Sequence, residues 1–401
     1  MKKYILLLFL SLILVKSVAQ EVIISDSAII SLITCSPGEE VYAKFGHTAI
    51  RVKDSAKDLD IVFNYGLFDF ESEHFYYKFI KGETDYQLGI NQTSIFIPEY
   101  AKRNSIVWEQ ILNLTVAEKR RLINSLLDNY KEENRVYRYN FIFDNCSIRP
   151  RDKIIGSING FIKFAPSTEQ NSFREWVGVY VGNDTWLKFG IDLIFGIDAD
   201  NIATQNESMF LPEILMKNMQ DAQITSFERE KRNLVEKKAT VLVNKSEKSE
   251  PMSFSILKPM NISILLLIIG TLVTIWDVKT KKHNKTFDTI ILVINGIGGL
   301  VVFYMMFFSL HPLVRYNLNI LWLSPINLIM AVAIWKKKIR KPLFLFQIPN
   351  ILLLVGALIT FPLSIQDFNV ATFPLIVLFL MRASHWFART KRKLYSKRDN
   401  N

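Results

Sequence analysis

The strongest constraint on how this chain folds is a series of five apolar stretches in the last third of its 401 residues. They lie at residues 259–276, 289–310, 318–335, 343–362 and 370–387. Each is close to the ~20 residues that a helix needs to cross the apolar core of a bilayer. Residues 259–388 are therefore predicted to form a transmembrane domain of five helices.

Basic side chains follow every second stretch. Clusters of lysine and arginine lie at residues 279–285, 336–341 and 389–398. The alternate connections, 311–317 and 364–369, contain only Arg315 as a lysine or arginine. Because basic loops stay on the cytoplasmic side, we expect the tail, residues 389–401, in the cytoplasm and residues 20–258 outside. These loops explain the net charge of +11, so we expect no nucleic-acid partner.

The first residues resemble a signal peptide. Lys2 and Lys3 precede a short apolar core, and Ser17 and Ala19 are the small residues of a cleavage site. We predict that residues 1–19 are removed, with an uncleaved anchor as the alternative. In both cases the following domain is exported.

The exported domain, residues 20–230, is predicted to be α+β. The alternating "FGHTAIRV" and "IVFNYGLFDF" indicate two neighbouring strands. The segment "LTVAEKRRLINSLLDNYKEEN" indicates a helix that starts with a capping box of Thr115 and Glu118. Residues 226–252 are rich in lysine, glutamate and serine and predict a charged helix, within a linker over residues 231–258 that leads to the membrane.

One of the two cysteines is a candidate nucleophile. In "DNCSIRPRD", Asp144 or Asn145 is suited to cap a helix that runs from Cys146 to about residue 158. Backbone N–H groups and the helix dipole favour a thiolate in such a first turn, and Arg149 adds positive charge. A thiolate nucleophile needs a base.

His47 is the candidate base, because it follows Gly46 in a strand that can aim its side chain. Two alternatives remain open from the residues alone. Cys35 and Cys146 can form a disulfide in an oxidising compartment, or His47 can be a half-buried structural histidine. The domain offers too few cysteine and histidine ligands for a metal site, and we expect no metal and no cofactor.

Several long segments are similar to a known family. The segments "CSPGEEVYAKFGHTAIRV", "FNYGLFDF", "YRYNFIFDNCSIRPRD" and "SMFLPEIL" resemble the periplasmic domain of the Lnb-type lipoprotein N-acyltransferases of Bacteroidota. The segment "HPLVRYNLNILWLSPINL" is similar to the membrane domain of the same family. The resemblance implies a papain-like, NlpC/P60-related fold in circularly permuted order, with the histidine before the cysteine.

The resemblance also implies catalytic roles. It makes Cys146 the nucleophile and His47 the base, and a third polar residue usually orients the imidazole. Asn64, on the strand after His47, is our candidate for that role, and Asp69 is a weaker one. The sequence alone does not determine this third residue.

The implied reaction moves an acyl chain from a membrane phospholipid, through a thioester on Cys146, to the N-terminal amine of a diacylglyceryl-cysteine lipoprotein. The chain is then an inner-membrane protein with its catalytic domain in the periplasm. Two rivals are an NlpC/P60-like cell-wall amidase or peptidase, which uses water as the acceptor, and a non-catalytic receptor that carries a Cys35–Cys146 disulfide.

Other polar residues are candidates for substrate binding. Three lie beside the thiol and three at the outer ends of the second and third spans: Asp144, Asn145, Arg149, His311, Asn317 and Asn319. For the three outer residues, helix capping and interfacial anchoring is the alternative. Arg382 and His385, near the inner end of the fifth span, are expected to extend to the membrane interface.

Overall fold

The structure is a computed structural model that describes residues 24–69, 71–243, 255–336 and 340–395. An α+β domain comes first, and a helical domain follows it. The predicted signal peptide and part of the predicted linker lie outside the described residues.

The first domain is built on an antiparallel sheet. In chain order its described strands are β1 Ile29–Cys35, β2 His47–Asp54, β3 Leu59–Leu67, β4 Asp85–Gln92, β5 Val107–Leu112, β6 Val136–Arg138, β7 Gly160–Lys163, β8 Gln223–Ser226, β9 Lys231–Asn233 and β10 Val235–Leu242. The main sheet has the order β10-β5-β1-β2-β3-β4-β6, and β7, β8 and β9 form a small second sheet. The predicted pair of neighbouring strands is confirmed as β2 and β3.

Helices cover both faces of the main sheet. They are α1 Phe75–Lys81, α2 Thr93–Lys102, α3 Val116–Tyr130, α4 Ile148–Ser157, α5 Phe173–Val181, α6 Trp186–Ile194, α7 Gln205–Ser208 and α8 Pro212–Gln220. The predicted capping box at the start of α3 is confirmed, because Thr115 and Glu118 bond reciprocally through side chain and backbone. Leu122, Ile123 and Leu126 of α3 pack into the largest apolar core.

The predicted charged helix after residue 226 is wrong. The chain there forms β9 and β10, and β10 pairs with β5 at the edge of the main sheet. Six successive residues of β10 are exposed, and the strand carries Lys237 and Lys238. Charged edge strands are soluble and resist pairing with other chains. Pairing with β5 makes Val235–Leu242 part of the main sheet.

The second domain contains α9 Pro259–Thr280, α10 Lys285–Phe308, α11 Ile326–Ala333, α12 Arg340–Leu363 and α13 Thr372–Tyr395. Three segments are long and apolar enough to cross a membrane: Pro259–Thr280, Lys285–Phe308 and Phe344–Leu363. The prediction of five such helices is confirmed for these three stretches only.

The third and fifth stretches differ from the prediction for separate reasons. The third is divided into a short 3-10 turn, Leu318–Leu321, and α11 of 8 residues. Pro325 lies between them and disfavours helix in the residue before it. The fifth forms α13 of 24 residues, but the second half of α13 carries basic side chains that lower its mean hydropathy.

The two domains are joined by hydrogen bonds as well as by the chain. The backbone N–H of Leu310, just after α10, donates to Lys81 O at 2.7 Å. The Ser309 hydroxyl donates to Ile80 O at 2.9 Å. The last turn of a helix has carbonyl groups without partners in the helix, and these bonds satisfy them at the end of α1.

Candidate active site

The structure brings Cys146, His47 and Asn64 together at one end of the main sheet. His47 is the first residue of β2, Asn64 lies on β3, and Cys146 lies in the turn before α4. The His47 Nε2 and the Asn64 Oδ1 are 2.6 Å apart. The imidazole and the Cys146 thiol are hydrogen-bonded as well. Since Nε2 is engaged by Asn64, Nδ1 is the nitrogen that faces the sulfur.

Asn64 is itself held in place by a neighbour on β4. The Asn64 Nδ2 donates to Asn91 Oδ1 at 3.3 Å. An amide whose nitrogen donates to Asn91 presents its oxygen to His47, so His47 Nε2–H donates and Nδ1 can accept a proton. Sequence reasoning missed Asn91, because its place depends on the pairing of Asn91 with Val62 across β3 and β4.

Asn145 shapes the turn that presents the thiol. Its Oδ1 accepts from Ser147 N at 2.8 Å and from Ile148 N at 3.0 Å. The N-cap of α4 is Ser147, so the prediction that Asp144 or Asn145 is the N-cap is wrong, and Asn145 instead stabilises the turn before the helix. α4 begins at Ile148, two residues later than predicted. The Asn145 Nδ2 donates to two backbone carbonyls, and the residue is 2% exposed. These contacts give Asn145 a structural role, and substrate binding by it stays a prediction.

Charge favours ionisation of the half-buried thiol. Burial alone would raise the pKa of Cys146, but the nearby imidazole of His47 and its hydrogen bond bring that pKa below its usual value. The N–H groups of Thr48 and Cys146 also donate to the sulfur. For His47, burial would lower the pKa, but Cys146 and the Asn64 bond raise it. The pair therefore favours thiolate and imidazolium.

The second cysteine has the opposite setting. Cys35 lies directly across from His47 in the pairing of β1 with β2, yet its side chain is fully buried in an apolar cluster. Burial raises the pKa of this thiol well above its usual value. Both cysteines are free, so the structure gives no support to the disulfide alternative.

Two family models match the chain in the order of its domains. The model of the Lnb N-terminal periplasmic domain matches residues 16–174, and the model of the Lnb transmembrane domain matches residues 250–394. The chain belongs to the Lnb family. It is an inner-membrane protein whose N-terminal domain is periplasmic. Neither a curated protein nor a solved structure matches the chain.

Within the Lnb periplasmic domain, Asp144 and Arg149 form a bidentate ion pair. The Arg149 Nε and Nη2 donate to the two carboxylate oxygens of Asp144 at 2.6 and 2.8 Å. The guanidinium carbon lies 3.6 Å from the centroid of the Tyr137 ring. Both residues also line an open cleft of about 590 Å³ between α3 and α4. Substrate binding by Asp144 and Arg149 stays a prediction.

Asp69, the weaker candidate for orienting the imidazole, is placed differently. Its Oδ1 accepts from Glu71 N at 2.8 Å in an exposed turn. That bond is typical of an aspartate that stabilises a turn. The structure therefore gives the position beside His47 Nε2 to Asn64.

The three predicted binding residues of the membrane domain are used to dock it on the periplasmic domain. Backbone carbonyl groups in the last turns of α1 and α6 accept hydrogen bonds from side chains that follow α10. His311 Nε2 lies 2.6 Å from Phe79 O. The amide of Asn317 donates to Leu193 O at 2.8 Å, and that of Asn319 donates to Asp192 O at 3.1 Å.

This docking gives Asn317 and Asn319 a structural role, and substrate binding by His311 stays a prediction. Asn317 and Asn319 are each 1% exposed. Their Oδ1 atoms are also occupied, by Asn319 N at 2.9 Å and by Trp322 Nε1 at 2.9 Å. Buried amides with every polar atom bonded have no group left for a ligand.

Arg382 is also placed differently from its prediction. It is 3% exposed and joins three helices of the Lnb transmembrane domain. The guanidinium donates to Asp288 Oδ1 at 2.7 Å, to Asp277 Oδ2 at 2.9 Å and to Thr274 Oγ1 at 2.9 Å. We call Asp277, Asp288, Arg382 and His283 the Arg382 cluster. His283 Nε2 lies 2.5 Å from Asp288 Oδ2.

His385 lies at the edge of this cluster. Its Nε2 is 3.8 Å from Asp277 Oδ2. A charge inside a membrane is costly unless it is paired. Pairing within the protein replaces the predicted extension of Arg382 to the interface, whereas the His385 Nε2 makes no hydrogen bond to the described residues.

Proposed function

We propose that this protein is a lipoprotein N-acyltransferase that uses Cys146 as a thiol nucleophile and His47 as its base. The observation that carries the proposal is the bonded series Cys146–His47–Asn64 in the periplasmic domain of an Lnb-family chain. The strand that begins with His47 comes before the turn and helix that follow Cys146 in the chain. This order supports a permuted papain-like fold.

The first step transfers an acyl chain to the protein. The thiolate of Cys146 attacks the ester carbonyl of a membrane phospholipid, and the carbon–oxygen bond to the glycerol breaks. The imidazolium of His47 gives its proton to the leaving alkoxide, and a lysophospholipid departs. The acyl chain is then held as a thioester on Cys146.

The second step transfers the chain to the acceptor. The N-terminal amine of a diacylglyceryl-cysteine lipoprotein attacks the thioester carbonyl. His47 takes a proton from the attacking amine, the carbon–sulfur bond breaks, and an amide forms. The sulfur is returned as thiolate paired with imidazolium, so no cofactor is consumed.

The surroundings of the site support a lipid donor. α1 is bonded to the outer end of α10 and exposes a group of apolar side chains: Tyr76, Tyr77, Phe79 and Ile80. Phe68 stacks on Phe75 of α1 and on Tyr86 of the sheet, with ring centroids 5.8 and 4.9 Å apart. A continuous group of apolar side chains therefore connects α1, which is bonded to the membrane domain, with the sheet that carries His47.

We propose further that the third and fifth stretches complete a domain of five spans and that the C-terminus is cytoplasmic. The alternation of lysine- and arginine-rich connections with connections that contain only Arg315 as a basic residue supports this topology. With both substrates anchored in the same membrane, a thiol close to its outer face meets them at high effective concentration.

The test is mass spectrometry of a reporter lipoprotein in a strain that lacks its own N-acyltransferase. The wild-type chain should convert the reporter from a form with two acyl chains to a form with three, and Cys146→Ser should abolish this conversion. Cys35→Ser is the matched control and should keep most of it, since that thiol is buried and inert. Normal triacylation by Cys146→Ser would refute the proposal.

The same variants separate the amidase rival. A cell-wall hydrolase would leave the reporter with two chains in every variant and would release peptide fragments from peptidoglycan in a Cys146-dependent manner. Mass spectrometry of both materials from one culture distinguishes an amine acceptor from water.

A further inference from the structure

One buried polar group next to the thiol has no partner. The Tyr137 hydroxyl finds no hydrogen-bond partner among the described residues, although the side chain is 6% exposed. Buried hydroxyls are bonded in the large majority of cases, and exceptions occur where a group serves catalysis. The missing partner therefore makes the Tyr137 hydroxyl a candidate for contact with a bound substrate.

Gly66 locates that hydroxyl relative to the thiol. Gly66 has φ +90° and lies at the irregular end of β3. A carbon at its missing side-chain position would be 3.5 Å from Cys146 Cβ, 4.0 Å from His47 Cε1 and 4.0 Å from Tyr137 Oη. The thiol, the imidazole and the phenol thus border one space that the glycine leaves open.

The Tyr137 ring is held firmly in this position. Tyr137 lies on β6 opposite Tyr86 of β4. Arg149 covers one face of the ring, and the edge contact with Tyr65 has a centroid distance of 6.3 Å. Donors that are fixed before the reaction stabilise a developing negative charge most effectively.

We propose that the Tyr137 hydroxyl is a catalytic hydrogen-bond donor to the carbonyl oxygen of the acyl group during both transfers. This inference rests on the proposed function. When sulfur or nitrogen attacks the carbonyl carbon, the oxygen becomes an oxyanion, and the phenol donates a hydrogen bond to it without losing its proton. Burial raises the pKa of Tyr137 well above its usual value, which keeps the hydroxyl a donor.

The covering guanidinium has a second consequence for the donor. A cation on the face of an aromatic ring interacts with its π-system, and Arg149 also makes the hydroxyl a stronger donor through its positive charge. Arg149 is then a positioning residue that acts through Tyr137, in addition to its place on the cleft.

Tyr137→Phe tests the proposal because it removes only the hydroxyl. We expect the initial rate of reporter acylation to fall about 100-fold, the usual effect of losing one oxyanion donor. The rate at which iodoacetamide alkylates Cys146 should not change, because alkylation forms no oxyanion. The melting temperature should not fall, because no hydrogen bond is lost.

Tyr65→Phe is the matched control. Its hydroxyl donates to Asn129 Oδ1 at 2.7 Å, so this variant should lose stability while it acylates at close to the wild-type rate. Wild-type acylation by Tyr137→Phe would overturn the inference, and so would an equal loss of acylation and alkylation. If Cys146→Ser in the same assay still acylates, the proposed function itself has failed.

Discussion

The candidate active site and the Arg382 cluster are both buried polar groups with a histidine, but they differ in how far their groups are paired. In the Arg382 cluster the guanidinium donates to two carboxylates and a hydroxyl. In the candidate active site, Cys146 is partly exposed and the Tyr137 hydroxyl has no partner in the described residues. The first arrangement joins helices, and the second leaves groups free to bind a reacting molecule.

The difference has an energetic basis. A buried charge costs several kcal/mol unless it is paired (~3–5 kcal/mol when one partner of a buried pair is removed). In the Arg382 cluster, the guanidinium on α13 pairs with carboxylates on α9 and α10. This pairing avoids the cost and fixes the positions of the three helices relative to one another. The active site lies at the end of a sheet that is held by other contacts, so it can keep unpaired groups without losing the fold.

The largest effect is expected at the base. His47→Ala removes the group that takes the proton of Cys146, and general base catalysis contributes about 10²- to 10⁴-fold. We expect reporter acylation to fall by that factor while the melting temperature of the purified protein stays close to wild type. A variant that unfolds would show that His47 supports the structure as Arg382 does.

Removal of Arg382 should lower the stability of the protein and leave the reactivity of Cys146 unchanged. Arg382→Leu removes the guanidinium that pairs with the buried Asp277 and Asp288 and should destabilise the protein by about 3–5 kcal/mol. Iodoacetamide labelling of Cys146 below the unfolding temperature should be normal. Thermal unfolding in detergent measures the loss.

A matched triple variant checks the cause. Arg382→Leu combined with Asp277→Asn and Asp288→Asn contains no uncompensated carboxylate and should regain much of the lost stability. If the triple variant is no more stable than Arg382→Leu alone, charge pairing does not explain the cluster.

Asn64→Ala should have a smaller effect than the loss of the base. The imidazole stays, but it loses the bond that fixes its ring and its tautomer. Misplacement of a catalytic group by about 1 Å can cost roughly 100-fold, and we expect a loss of up to that size in acylation rate. Asn91 contacts the imidazole only through Asn64, so Asn91→Ala should reduce the acylation rate less than Asn64→Ala does. A larger reduction in Asn91→Ala would contradict this relation.

The smallest effect is a shift on the pH axis. The rate of Cys146 alkylation should rise with pH through an inflection below that of an ordinary cysteine, about 8.5, because the pKa of Cys146 is lowered. In His47→Ala, burial acts without the imidazolium, so the inflection should move upward. Equal inflections in the two proteins, measured by iodoacetamide labelling over pH, would exclude the ion pair.

The sequence permits prediction of the Cys146–His47 pair but not of the residues that hold the pair in place. Cys146 and His47 belong to rare residue types, and the alternation of β2 and β3 brings Asn64 close to His47. Asn91 and Tyr137 depend on the register of β4 and β6 with distant strands, which no local pattern contains. The same limit applies to β10, whose lysine-rich sequence resembles a linker until it pairs with β5.

The errors in the membrane domain have a different origin. Polar residues near the ends of apolar stretches were expected to meet water or lipid. Asn317, Asn319 and Arg382 instead bond to protein groups, because helix ends and buried carboxylates in a packed structure need partners. Tertiary contacts, which a single stretch does not reveal, determine their surroundings.

The bonds from Ser309, Leu310 and His311 to the end of α1 have a consequence for kinetics. They prevent the periplasmic domain from swinging freely on its linker, so the sulfur stays at a fixed height over the lipid surface. Under the proposed reaction, both substrates then arrive by lateral diffusion. Turnover is governed by their number per unit area of membrane and by its fluidity, and dilution of the surrounding medium has no influence on it.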